Sequence, residues 1–169
     1  MSATFQRGEP RQVMLPVNLA DSYSQGDLVG RVAATGVGYR ASSHTWNTDL
    51  ATTRAEFVAL FAGVACQDKD AAANVYGNGE AFKLQLRVNA GGVNRFAVKA
   101  GTYKAGDYLG PAKQTGNLLE DQILEVVSTE AQATHKCVGF FTANTGQVVN
   151  PGYVDAEVLS RVFRGDSAT

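Results

Sequence analysis

Three observations predict an all-β fold, a compact β-barrel or β-sandwich. Glycine-bearing turn signals recur at short intervals from Gly8 to Gly152, with short apolar or alternating runs between them. One of these runs alternates strictly. Phe82, Leu84, Leu86 and Val88 fall on one face, and Lys83, Gln85 and Arg87 on the other, which is the period of a strand with one buried side. The third observation is a repeated turn. YSQGDLVG (Tyr23–Gly30) matches YKAGDYLG (Tyr103–Gly110), a Y-x-x-G-D-x-[VL]-G pattern, and each copy is followed by a Gly-bearing apolar run, FAGVA (61–65) and CVGFF (137–141). Gly26 and Gly106 allow the positive φ of a tight turn. Asp27 and Asp107 bond nearby backbone N–H groups, and the aliphatic residue that follows starts a strand. The repeat therefore predicts two related halves within a single β domain spanning residues 21–163.

The elements follow in order along the chain. Residues 1–20 carry Phe5, Pro10 and Pro16 with little periodicity; prolines disfavour central strands, so this segment reads as an extended N-terminal arm ending in an edge strand. Thr45–Leu60 resists a strand assignment. Asp49 or Thr52 is available as an N-cap and Phe57 and Leu60 stand at helical spacing, predicting one short helix or irregular insertion. A strand is expected at Phe61–Cys66. After Phe82–Val88, the sequence Asn89–Gly92 turns the chain, and Phe96 and Val98 alternate again as the expected hairpin partner. Ile123–Val127, Cys137–Phe141 and Val154–Val162 read as further strands, the last on the alternation of Val154, Ala156 and Val158. Residues 164–169 form a C-terminal tail.

Composition excludes several classes. The chain has 169 residues, with 15 Lys plus Arg against 16 Asp plus Glu. A net charge of −1 lacks the basic excess that phosphate neutralisation requires, so no nucleic-acid partner is expected. At 44% hydrophobic and 18% charged, the chain has enough apolar content for a packed core and too little charge for disorder. The longest apolar run, Phe57–Cys66, is half of the roughly 20 residues a bilayer helix needs, so no membrane segment is expected. The N-terminal residues have no apolar core of a secretory signal. Cys66 and Cys137 belong to no C-x-x-C pair and read as small core hydrophobes of a protein made in a reducing cytoplasm.

No catalytic constellation emerges. His44 and His135 are the only histidines. On a strand His135 and Cys137 would share a face, but a zinc site wants three or four ligands, so no metal is expected. No G-x-S-x-G elbow is present, and the acidic residues scatter. Asp68-x-Asp70 lacks the later Gly and Glu of a calcium loop, while Gly36-x-Gly38 and Gly77-x-Gly79 continue to no phosphate-loop pattern. The sequence thus predicts a non-enzyme with no cofactor. Trp46, Tyr39 and Tyr76 are the aromatics that would line a pocket if the chain were a small-molecule- or carbohydrate-binding β-barrel.

The succession GDLV, FAGVA, GTYKAGDYLGP (101–111) and VGFF resembles the small β-rich capsid decoration, or cement, proteins of tailed bacteriophages. The resemblance covers about residues 15–163 and rests on turn and core residues, so it transfers no functional residue. It implies a structural virion protein on the capsid exterior, made in the host cytoplasm. Its partners would be the major capsid protein, whose neighbouring subunits it bridges, and itself, as a homotrimer. Another β-rich virion component, in a tail or baseplate, is the nearest alternative. Phe5, Arg7, Arg11 and Met14 are the candidate assembly contacts, on an arm that would order against a neighbour. Deleting residues 1–14 is expected to leave the fold intact and weaken assembly.

Overall fold

The structure, a computed structural model, describes residues 4–7, 11–71, 84–141, 147–149 and 152–164. Among these the chain is mostly β, with two helices, as the turn-and-alternation pattern predicts. The strands are β1 (Thr4–Arg7), β2 (Gln12–Pro16), β3 (Leu28–Arg31), β4 (Gly38–Arg40), β5 (Phe61–Ala65), β6 (Gln85–Asn89), β7 (Val93–Val98), β8 (Gly101–Tyr103), β9 (Tyr108–Gln114), β10 (Leu118–Val126), β11 (Gly139–Phe141), β12 (Gln147–Val149) and β13 (Gly152–Val158). Helix α1 spans Leu50–Ala59 and α2 Arg161–Arg164.

Pairing resolves the choice between barrel and sandwich. In the second half β7, β10, β9, β11 and β13 pair in that order, and β13 returns to β7, so five strands close a ring. In the first half the order is β2-β6-β5-β3-β4, and a parallel bridge from Val17 to Gly38 brings the two ends together. The two rings have the same design: β2, β3, β4, β5 and β6 correspond to β7, β9, β10, β11 and β13. All pairs are antiparallel except the closing one, which is parallel in both. The molecule is therefore two small five-stranded barrels in tandem. Outside the rings, β8 and β12 form a separate two-stranded ribbon.

The repeated motif has the same geometry in both copies. Gly26 and Gly106 sit at φ +98° and +86°. Asp27 Oδ2 accepts from Ser24 N at 2.8 Å, and Asp107 Oδ2 from Lys104 N at 2.7 Å. The glycine N–H groups donate to Ala65 O and Phe141 O, and these residues donate back to Asp27 O and Asp107 O. Each turn is thereby locked to the Gly-bearing strand of its own half. The glycine of that strand is needed because the next strand approaches closely: a Cβ on Gly63 would lie 2.3 Å from Asn89 O, and one on Gly139 2.6 Å from Glu157 O. The tyrosine that opens the motif reaches the closing seam, with Tyr23 Oη donating to Gly38 O at 3.0 Å and Tyr103 Oη to Lys99 O at 2.6 Å. The sequence pattern is thus a barrel-building unit rather than a binding motif.

The predicted insertion is α1. Asp49 caps it by accepting from Thr52 N at 2.7 Å, and Thr53, Arg54, Phe57 and Val58 are its buried residues. Phe57 packs against Tyr39, His44 and Phe61. Two expected elements differ. The Asn89–Gly92 turn does not form a hairpin, because both edges of β6 are already taken by β2 and β5; the turn instead links the two barrels. The expected strand over Val154–Val162 stops at Val158. Ser160 then starts the α2 turn, accepting from Phe163 N and donating to Phe61 O. Phe82 and Lys83, at the head of the alternating run, lie outside the described residues; Leu84, expected on the buried face, precedes β6 and is exposed, so the buried alternation is carried by Leu86 and Val88.

The N-terminal segment is extended, but it is not an arm outside the domain ending in an edge strand: β1 pairs with β7, and β2 is a strand of the first ring, paired with β6 and followed by the Val17–Gly38 closure. Val13 and Leu15 turn inward onto the core of the first barrel, beside Val29, Leu86 and Val88. A second core runs through the interior of the second barrel and on to Leu28, Val64, Phe57 and Phe61 of the first half.

Candidate interaction surface

The turn residues Gly26, Asp27, Gly106 and Asp107 stand where the sequence places them and serve the fold. Asp27 also reaches the other half. It is 3% exposed, and its Oδ1 accepts from Gln122 Nε2 at 2.8 Å. Burial raises its pKa, against the opposing hydrogen bonds from Ser24 and Gln122.

The join between the barrels is built largely by residues that the sequence did not single out. Arg54, fully buried on α1, donates from Nε to Pro111 O at 2.9 Å and pairs with Glu125 and Glu130. The strand beneath carries Gly110, the last residue of the second motif. A Cβ there would meet Lys136 O at 2.4 Å and the Arg54 side chain at 2.7 Å, so this glycine makes room for the helix. Asp121 accepts from Ser42 N and Oγ, both at 2.7 Å. Asn89 Nδ2 donates to Asn94 Oδ1 at 3.3 Å across the linker. No local pattern announces these contacts; the available signal is an arginine at helical spacing from Phe57 and Val58.

Of the candidate assembly contacts, Arg11 and Met14 are exposed, Met14 on the outer face of the first barrel opposite Arg87. Phe5 and Arg7 lie in β1, opposite Asn94 and Val93; their side chains fall outside the described residues. Truncation through Met14 would remove part of β2, including Val13, which packs on the core. The expectation that such a deletion spares the fold is therefore corrected: only a cut before Gln12 leaves β2 whole.

The residues with chemical potential do not converge. His44 Nδ1 lies 3.1 Å from Tyr39 Oη, and Nε2 lies 3.9 Å from Glu56. Burial lowers the His44 pKa, with Glu56 opposing. His135 lies in the turn Ala133–Lys136 rather than on a strand, so the expected shared face with Cys137 does not exist. Burial pushes the Cys66 thiol up to about 11 and raises that of Cys137, which keeps both as thiols. Among the described residues no three His, Cys, Asp or Glu side chains gather as metal ligands, and no helix is long and apolar enough to cross a membrane.

The concavities among the described residues include two, at the barrel junction and beside α1. One, about 390 Å³, lies at the barrel junction, lined by Asp27, Arg40, Gln114, Glu120, Asp121 and Gln122 among others. The other, about 280 Å³, lies between α1 and α2, with Ala55, Val58, His135 and Arg161 in its wall. Tyr39 and Trp46 line neither. Tyr39 lies beneath His44 and Phe57, and Trp46 packs on the core with Lys113 Nζ 4.9 Å above its ring. Tyr76 lies outside the described residues. No protein-family model matches the chain, and no curated protein matches it.

Proposed function

We propose that the chain is a structural virion protein, without enzymatic activity, that binds the outside of a tailed-phage capsid and bridges neighbouring capsid subunits. It is made in the host cytoplasm and acts as a homotrimer. The single observation that carries this reading is the use made of the motifs behind the resemblance. The residues that the two copies share at the turn, Tyr23 and Tyr103, Gly26 and Gly106, Asp27 and Asp107, are taken up in closing a barrel or in joining the two, which leaves recognition to the outer faces. A protein built this way acts by presenting surface. Many symmetry-repeated contacts, each modest, would multiply through effective concentration into a strong hold on a shell. The low charged fraction of 18% suits a surface that is covered in an assembly.

The test is co-sedimentation of the purified chain with empty shells assembled from the major capsid protein of the genome that encodes it. The expected result is saturable binding at a fixed number of copies per shell, with shells that withstand a higher temperature. A genome without a capsid gene, or a chain that stays in the supernatant at micromolar concentration, overturns the reading.

A further inference from the structure

The two barrels are equivalent in design but not in what covers them. In the first, Leu28, Val64 and Asn89 lie side by side on β3, β5 and β6. Their counterparts in the second are Tyr108, Phe140 and Glu157 on β9, β11 and β13. The first row is buried: Leu28 is 0% exposed, Val64 1% and Asn89 6%. It is covered by the second barrel. Leu28 and Val64 share a core with Phe96, Leu109 and Leu124, and the polar groups at its ends bond across, Asp27 with Gln122 and Asn89 with Asn94. The second row is only half-buried, although Tyr108 and Phe140 pack together with ring centroids 5.1 Å apart and planes tilted by 50°. Tyr153, further along β13, is 38% exposed.

The first barrel leaves a different face open. On β2 and β6 the outward side chains include Met14, 49% exposed, with Arg87 opposite and Arg11 just before the strand. Leu84, 44% exposed, precedes β6. This face is aliphatic and basic; the open row of the second barrel is aromatic and ends in a carboxylate.

We propose that the Tyr108–Phe140–Glu157 row of one chain docks the Met14–Arg87 face of a second copy. Within one chain the equivalent row is covered by the other barrel, through β10 and β7 with Gln122 and Asn94; between chains the β2–β6 face takes that place. The aromatic pair receives the Met14 side chain, and Arg87 meets the acidic end of the row. Because the two faces differ, the contact is head-to-tail, and copies add in one direction until a ring closes. The inference rests on the self-association within the proposed function and not on the shell.

Light scattering on the full chain alone, without shells, tests it. The expected mass exceeds one chain at micromolar concentration. It falls to one chain for Phe140→Arg and, separately, for Met14→Glu. An equal mixture of the two variants returns to a mass of two chains, since each contributes its intact face. Should Phe140→Arg fail to fold by circular dichroism, Tyr108→Lys replaces it in both arms. A wild-type chain that stays single at every concentration, variants that keep the wild-type mass, or a mixture that stays single each overturn the proposal. Shell co-sedimentation of the same samples separates this failure from failure of shell binding.

Discussion

The first barrel and the second share a turn, a strand order and a parallel closure, yet they close with different security. In the second, Ala97 and Val98 pair with Ile123 and Leu124, and Lys99 N adds a bond to Leu124 O. In the first, a single bridge between Val17 and Gly38 does the work, helped by the Tyr23 hydroxyl. The weaker closure is offset from outside, because the second barrel and α1 cover the outer face of β3 and β5. The difference teaches that a duplicated unit need not be equally self-sufficient in both copies. One half can lean on the other, and the leaning surface becomes the core of the whole.

The largest effect expected comes from the glycines that let strands approach. Gly63→Ala and Gly139→Ala each drive a Cβ into a neighbouring carbonyl, costing about 3 kcal/mol or more. Gly106→Ala meets nothing within 4 Å and pays only for its φ of +86°, about 1 kcal/mol. Urea denaturation of the three variants checks the contrast, and equal losses would remove the close-approach argument.

Arg54→Met comes next, and breaks the comparison itself by loosening the join. The expected loss is about 3 kcal/mol, at the low end for one member of a buried ion network, because Lys99 and Lys136 remain beside Glu125 and Glu130. Tryptophan fluorescence and far-UV circular dichroism should then report separate transitions, where the wild type gives one.

The tyrosine pair sharpens the comparison. Tyr23→Phe removes a buried bond at the weakly closed seam, and Tyr103→Phe a partly buried one at the better closed seam. Losses of about 1 kcal/mol are expected for each, with Tyr23→Phe the larger; the reverse order would mean that the first barrel does not depend on its hydroxyl.

The smallest effect is a pH dependence at His44. Burial holds its pKa below the ordinary 6.5. Between those two values the unfolded chain binds more protons, so stability falls as pH drops through about 6.5. His44→Phe should flatten that part of the profile of urea midpoint against pH, while Glu56→Gln, which removes the opposing carboxylate, should steepen it.

Local chemistry made much of this legible. The Gly-Asp turns, the Asp49 cap and the alternating strands were readable because each depends on residues within a few positions. The duplication was readable because the turn needs the same residue types twice. The Asn89–Gly92 hairpin failed for a reason outside its own sequence: β6 had already spent both edges on β2 and β5. His135 and Cys137 differ for a similar reason: local pattern suits a strand, and the packing of the chain against α1 makes a turn there.

The sequence by itself determined the class of fold, the two halves and the turns that start them, because backbone sterics and period-two burial act locally. Tertiary structure alone decided that each half is a closed barrel, that Arg54 and Asp121 pin the halves together, and that the row at Leu28 is covered while the row at Tyr108 stays open. Those outcomes depend on which distant surfaces meet, and burial is a property of the pair of surfaces rather than of either residue.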